Sequence, residues 1–204
     1  MPLPLNPAEL SRRGLSYAQY LALMERQAAA PVSDLSEEEA QRVEFTKLNL
    51  HRSGRISRTY RPTPELAKRV LGLAMPQLWL VLTEPWCGDS AQCLPYLVKL
   101  AEESSGITLS ILLRDDNLEV MDQYLTAGKR GIPRLIAFAA DGDELFRWGP
   151  RPAAAQVVFD AAKAEGLAKP ELLGKLHLWY GRNRGEALET ELTGLFSGLS
   201  GGCG

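Results

Sequence analysis

Residues 78–83 read LWLVLT, and within a few positions the chain reaches Trp86-Cys87-Gly88-Asp89-Ser90. The apolar run reads as a buried strand, and residues 89–103 read as a helix. A second run, ITLSILL at 107–113, is the next strand. Strand, helix and strand in this order predict a right-handed parallel crossover, and hence an α/β fold. The junction also gives Cys87 a chemistry. At a helix start, unpaired N–H groups and the positive end of the helix dipole point at its sulfur. Both favour the thiolate, which is the nucleophilic form. Asp89 acts the other way, since a nearby carboxylate disfavours a second negative charge.

Trp86-Cys87-Gly88 after a strand resembles the active-site turn of the thioredoxin superfamily, whose W-C-G-P-C motif carries two cysteines. Here Asp89 takes the place of the proline and Ser90 that of the second cysteine. Pro95 matches the proline that kinks the family's helix, and Arg130-Gly131-Ile132-Pro133 matches its R-G-I-P segment. The strand at 135–139, the turn Asp141-Gly142-Asp143, the strand at 145–148 and Gly149 resemble the closing hairpin. The flanks look like those of a bacterial thioredoxin-like subgroup with W-C-G-D-[SA] in place of a dithiol. The resemblance implies a thioredoxin-like fold: a four-stranded mixed sheet flanked by helices, with helical N- and C-terminal extensions. It implies that Pro133 is cis and faces Cys87. Trp86, Gly88, Asp89, Ile132, Pro133 and Gly149 would then border a shallow substrate groove. Arg130 and Arg134 would flank it and favour acidic partners, although solvated loop charges account for them better.

The 204 residues suffice for a sizeable core. Residues 1–14 are Pro-rich and read as extended. Ser16 caps a helix to about 30, and Ser36 with Glu39 forms a capping box for a helix to about 50. Arg52, Arg55, Arg58 and Arg61 follow at intervals of three. Thr63-Pro64-Glu65 starts another helix. Beyond the hairpin, helices are expected at 118–125, 152–168, 171–180 and 185–196. The organisation expected is an extension at 1–74 packed on the core, a thioredoxin-like domain at 75–168, C-terminal helices at 169–196, and a flexible Gly/Ser tail at 197–204.

A net charge of −2 gives no global reason to bind nucleic acid or a membrane surface. No apolar run approaches the ~20 residues of a spanning helix, and the start of the chain lacks a secretory pattern. With three cysteines and no disulfide framework, a cytoplasmic protein is expected. His51 and His177 make no zinc spacing with the cysteines, so neither metal nor cofactor is expected. The arginine stripe is a candidate for an anionic ligand, or simply a solvated face.

Cys87 is the expected nucleophile, with Ser90 donating to its thiolate. Serine cannot release a mixed disulfide, so a second thiol must come from elsewhere. Cys93 lies too far along the helix to pair with Cys87 and reads as a buried hydrophobe. Cys203, on the tail, is a possible resolving thiol; serving a partner chain or idling are the alternatives. Thioredoxins carry a buried acid six residues before the first cysteine, where this chain has Val81. The turn also resembles the C-G-F-S turn of monothiol glutaredoxins, without its phenylalanine. The expected activity is monothiol thiol–disulfide exchange on protein or low-molecular-weight disulfides. A non-catalytic binding module is the alternative, and an iron–sulfur carrier the third.

Overall fold

The fold is built outward from β1 (Gln77–Thr83), the strand before the cysteine turn. The computed structural model describes residues 6–73 and 75–199. Ahead of β1 lie α1 (Pro7–Arg13), α2 (Tyr17–Ala28), α3 (Glu37–Thr59) and α4 (Pro64–Leu71). After it come α5 (Gly88–Glu102), β2 (Ile107–Leu113), α6 (Leu118–Met121), β3 (Arg134–Ala139) and β4 (Glu144–Trp148). The chain continues through α7 (Ala153–Ala164), α8 (Lys169–Asn183) and α9 (Glu186–Leu199).

The sheet has the order β2-β1-β3-β4. β1 runs parallel to β2 and antiparallel to β3, and β3 is antiparallel to β4. This is the mixed four-stranded sheet with flanking and terminal helices of a thioredoxin-like fold. Alternation along β1 divides the core. Trp79 and Val81 pack with Leu97 and Leu100 of α5 and Phe196 of α9. Leu80 and Leu82 pack on the other face with Leu10 of α1 and with Val120 and Met121 of α6. Cys87 and Ile132 join this second cluster. The first face is anchored by Trp79, whose ring stacks on Phe196 at 5.8 Å and meets Phe146 edge-on at 6.0 Å.

Several expectations about the elements need correction. Residues 7–13 are helical, not extended. Asn6 accepts from the Glu9 amide at 3.1 Å, and Pro7 stands in the first turn, where its missing N–H costs nothing. Gly14 then lets the chain lie against β2, since a Cβ there would fall 1.9 Å from Ser110 Oγ. Leu15 and Ile111 exchange backbone hydrogen bonds at 2.8 and 2.9 Å.

The helix expected to end near 50 continues to Thr59. Its second half lacks an apolar stripe. Instead Thr46, Asn49, Ser53 and Ile56, at intervals of three and four, form a buried face of mostly small polar residues. Such a face lets α3 and α5 pack closely, a logic that hydrophobic periodicity does not register. α6 is shorter than expected and α9 runs three residues beyond the expected end at 196. Among the described residues, no helix is long and apolar enough to cross a membrane.

Candidate functional site

Cys87 is the N-cap of α5, with extended backbone angles of φ −77° and ψ 116°. The Glu84 carbonyl accepts from its amide at 3.0 Å, and its own carbonyl accepts from the Ala91 amide at 3.1 Å. The Ile132–Pro133 peptide is cis, as the resemblance implied. The Ile132 carbonyl accepts a hydrogen bond from the Cys87 thiol, with sulfur and oxygen 3.3 Å apart. The strand–helix turn and the cis-proline loop thus meet at the sulfur.

The environment of that sulfur differs from the electropositive helix start read from the sequence. Cys87 is only 8% exposed. Burial, and then the charge of Asp89, push its thiol up to about 11 against an ordinary 9.0, outweighing the Ser90 side chain and the Asp89 and Ser90 amides. The contact with Ile132 acts in the same direction, because only a protonated sulfur donates to a carbonyl. Ser90 is fully buried, and its hydroxyl has no well-aligned hydrogen-bond partner among the described residues. It lies near enough to the sulfur to favour the thiolate electrostatically.

Asp89 faces inward, and its carboxylate is shared between two partners. Oδ2 accepts from Arg151 Nε and Nη2 at 3.1 and 2.6 Å, and Oδ1 accepts from the Tyr180 hydroxyl at 2.6 Å. Cys93 Sγ lies 3.8 Å from the same hydroxyl. Despite these partners the Asp89 carboxyl is shifted upward, because burial outweighs Arg151 and Tyr180. Cys93 is fully buried in the main core and, like Cys87, is a free thiol. Cys203 lies outside the described residues.

The remaining expected groove residues sit around this centre. Trp86 is half-buried, and the carbons of the Arg42 and Arg114 guanidiniums stand 5.3 and 5.0 Å from its ring centroid. Both are cation–π contacts. Gly149 has φ +110°, and a Cβ on it would lie 2.2 Å from the Pro133 carbonyl oxygen. Only glycine fits there. The Gly149–Pro150 peptide is also cis. Arg134 is buried and donates to the Gly149 carbonyl at 2.9 Å, while Arg130 makes a two-pronged pair with Asp122.

Gly88 is covered from α8, since a Cβ there would come within 2.8 Å of the His177 ring. The Gln92 side-chain amide stands 3.3 Å from His177 Nδ1. Burial, and then the charge of Arg52, lower His177 to about 4, so its ring is neutral at physiological pH and the amide donates to it.

Sequence reasoning missed four members of this site. Arg151 and Tyr180 bind Asp89 from far along the chain, and nothing local marks them. His177 stands out in the sequence only as one of two histidines without a zinc spacing. Glu84 carried a visible signal: it is an acid at the end of a buried strand, three residues before Cys87. Its side chain accepts from the Asp115 amide at 2.8 Å. Burial, only partly opposed by that bond, pushes Glu84 up to about 7. From α3, Asn49 donates to the Pro85 carbonyl at 2.9 Å, tying the turn to the N-terminal extension.

Among the described residues, no group of three His, Cys, Asp or Glu side chains is placed to hold a metal ion. A cluster carried at this turn would need a thiolate presented at the surface. Cys87, buried and protonated, does not fit that role.

The architecture and the cysteine turn facing a cis-proline together define a protein of thioredoxin-like class. A family model described as Thioredoxin (Thioredoxin_9) matches residues 36–163, more than half of the chain. The chain belongs to this thioredoxin family. Among solved structures it is similar to an HIV epitope-scaffold protein, at 20% identity and a TM-score of 0.57, over 94% of this chain and 97% of that one. It is also similar to a protein of unknown function from Pseudomonas aeruginosa, at 21% identity and a TM-score of 0.53, over 90% of this chain and 99% of that one. At such identities the likeness speaks to the fold alone.

Proposed function

We propose that the protein is a monothiol thiol–disulfide oxidoreductase acting through Cys87, with a resting state that keeps the sulfur protonated. The observation that carries this reading is the placement of Cys87 Sγ at the start of α5, 3.3 Å from the carbonyl before the cis-proline. In the forward step Cys87 gives up its proton, and its sulfur attacks one sulfur of a disulfide R–S–S–R. A Cys87–S–S–R bond forms, the S–S bond of the substrate breaks, and the leaving thiolate R–S⁻ takes a proton as R–SH. A second thiol, R′–SH, then attacks the mixed disulfide, leaving R–S–S–R′ and restoring the Cys87 thiol. Ser90 cannot supply that thiol, so it comes from outside or from Cys203.

Incoming disulfide replaces the Ile132 carbonyl as the sulfur's neighbour, and the Ser90 hydroxyl turns to the developing thiolate. Glu84, poised near neutrality beside the turn, is a buried acid in a thioredoxin fold whose Val81 leaves the usual acidic position apolar. A proton-accepting role for it follows general acid–base logic. A cytoplasmic location fits this chemistry, which needs a reduced thiol.

The test is intact-protein mass spectrometry after incubation with a disulfide, for wild type and Cys87→Ser. A mixed-disulfide adduct on Cys87 that a second thiol removes is the expected result. If the Cys87→Ser protein forms the same adduct at the same rate, the reading fails. A non-catalytic binding module is the second reading, and the raised, covered Cys87 thiol favours it. Under that reading no adduct forms at any pH at which the protein stays folded.

A further inference from the structure

On the α5 side of the cysteine turn, α3 and α8 leave a shallow cleft of about 520 Å³. Its wall includes His51, Arg52 and Arg55 from α3, Gln92 from α5, and His177 and Arg182 from α8, and no acidic residue lines it. The arginine stripe noted in the sequence is helical through Thr59, so Arg52 and Arg55 share a face of α3, one turn apart. Elsewhere on the protein, Arg42, Arg69, Arg114, Arg130, Arg147 and Arg151 each pair with a carboxylate. Among the described residues, no carboxylate lies within ion-pair distance of Arg52, Arg55 or Arg182.

Arg52 is half-buried, and among the described residues its one side-chain hydrogen bond goes to a neutral acceptor, Asn49 Oδ1, at 2.9 Å. Burial, then the charge of Arg55, disfavour its charged form. A desolvated cation beside a like charge, with no counter-charge, is costly. An anion seated between the guanidiniums would remove that cost and take up N–H donors that Asn49 leaves unused.

The cleft also borders the reactive turn. The His177 ring that forms part of its wall is the one packed on Gly88, next to Cys87. Gln92 reaches the cleft from the first turns of α5. We propose that the cleft is an anion subsite which takes the acidic end, carboxylate or phosphate, of the disulfide substrate attacked by Cys87. The substrate half of this proposal rests on the exchange activity proposed above; the anion half does not.

Two measurements separate these halves. In the first, inorganic phosphate is titrated into the full-length protein at constant ionic strength, with the His177 ring followed by NMR. Saturable shifts are expected, with affinity about tenfold weaker in Arg55→Gln/Arg182→Gln. Both residues are exposed, and neither substitution touches the Arg52–Asn49 bond. In the second, adduct formation on Cys87 is timed with oxidised glutathione, which is anionic, and with cystamine disulfide, which is cationic. Wild type should favour the anionic disulfide, and the ratio of the two rates should move toward unity in the double variant and invert in Arg55→Glu/Arg182→Glu.

Absence of saturable phosphate shifts, together with equal rates for the two disulfides, overturns the subsite while leaving exchange intact. Phosphate binding with no adduct from either disulfide removes the exchange activity and the substrate assignment, and leaves an anion site. Phosphate binding with a rate ratio that the substitutions do not move overturns the assignment to substrate.

Discussion

Glu84 and His177 both adjoin the cysteine turn, and their protonation pulls folding stability in opposite directions. The carboxyl of Glu84 rises from 4.5 to about 7 on folding. The folded state therefore holds its proton where the unfolded chain has lost it, and stability falls as pH rises through that window. The His177 imidazole drops from 6.5 to about 4. Here the unfolded chain binds the extra proton, so stability rises with pH across nearly the same window. Taken at face value each displacement is worth roughly 3.4 kcal/mol at ~1.36 kcal/mol per pH unit. Both groups keep some access to solvent, which about halves the effect. Between about pH 5 and pH 7 each then contributes about 1 kcal/mol of opposite sign, and the wild-type profile is shallow. Glu84→Gln keeps an oxygen for the Asp115 amide and removes the titration. Urea unfolding of this variant should show stability rising by about 1 kcal/mol more than wild type over that range. His177→Gln should show the reverse. A Glu84→Gln profile parallel to that of wild type would refute the burial argument for Glu84.

Other consequences follow from the same contacts. Cys87, with its thiol pushed up to about 11, should alkylate about tenfold faster for each pH unit from neutrality to about pH 10. A plateau below about pH 8 would contradict its burial. Gly149→Ala places a methyl against the Pro133 carbonyl at a backbone angle that alanine rarely adopts; a loss of about 3 kcal/mol or more is expected in thermal or urea unfolding. Tyr180→Phe removes one of the donors to Asp89, and should cost about 1–3 kcal/mol.

Fold was legible where local pattern and the resemblance agreed. The run LWLVLT, the cysteine turn and Ile132-Pro133 were enough to place the central strands, α5 and the cis peptide facing Cys87. What failed was of two kinds. The second half of α3 is helical because small polar residues let it pack on α5, and neither Ser53 nor Asn49 raises a hydrophobic signal. The surroundings of Cys87 depend on side chains distant in sequence. Arg151 and Tyr180 reach Asp89 across 62 and 91 positions, and His177 covers Gly88 from a C-terminal helix. The sequence shows a helix N-terminus and implies an activated thiol. Only the packing reveals that burial outweighs the dipole.

Asp89 shows how the two effects can be separated experimentally. Its carboxyl is raised even with Arg151 and Tyr180 bound to it. Keeping it ionised at neutral pH therefore costs folding free energy. Where it does act is on Cys87, whose thiol it helps to hold protonated. Asp89→Asn removes that charge and leaves the Arg151 guanidinium without its carboxylate partner in the first turn of α5. Asp89→Asn/Arg151→Gln removes both charges and leaves burial alone. The midpoint of Cys87 alkylation against pH should therefore fall in the order wild type, double variant, single variant. Were burial the whole cause, all three midpoints would coincide; were the variants simply unfolding, Cys93, fully buried in the same structure, would become reactive together with Cys87. An ordered fall with Cys93 still protected would make Asp89 the residue that sets how readily this thioredoxin-fold cysteine becomes a nucleophile.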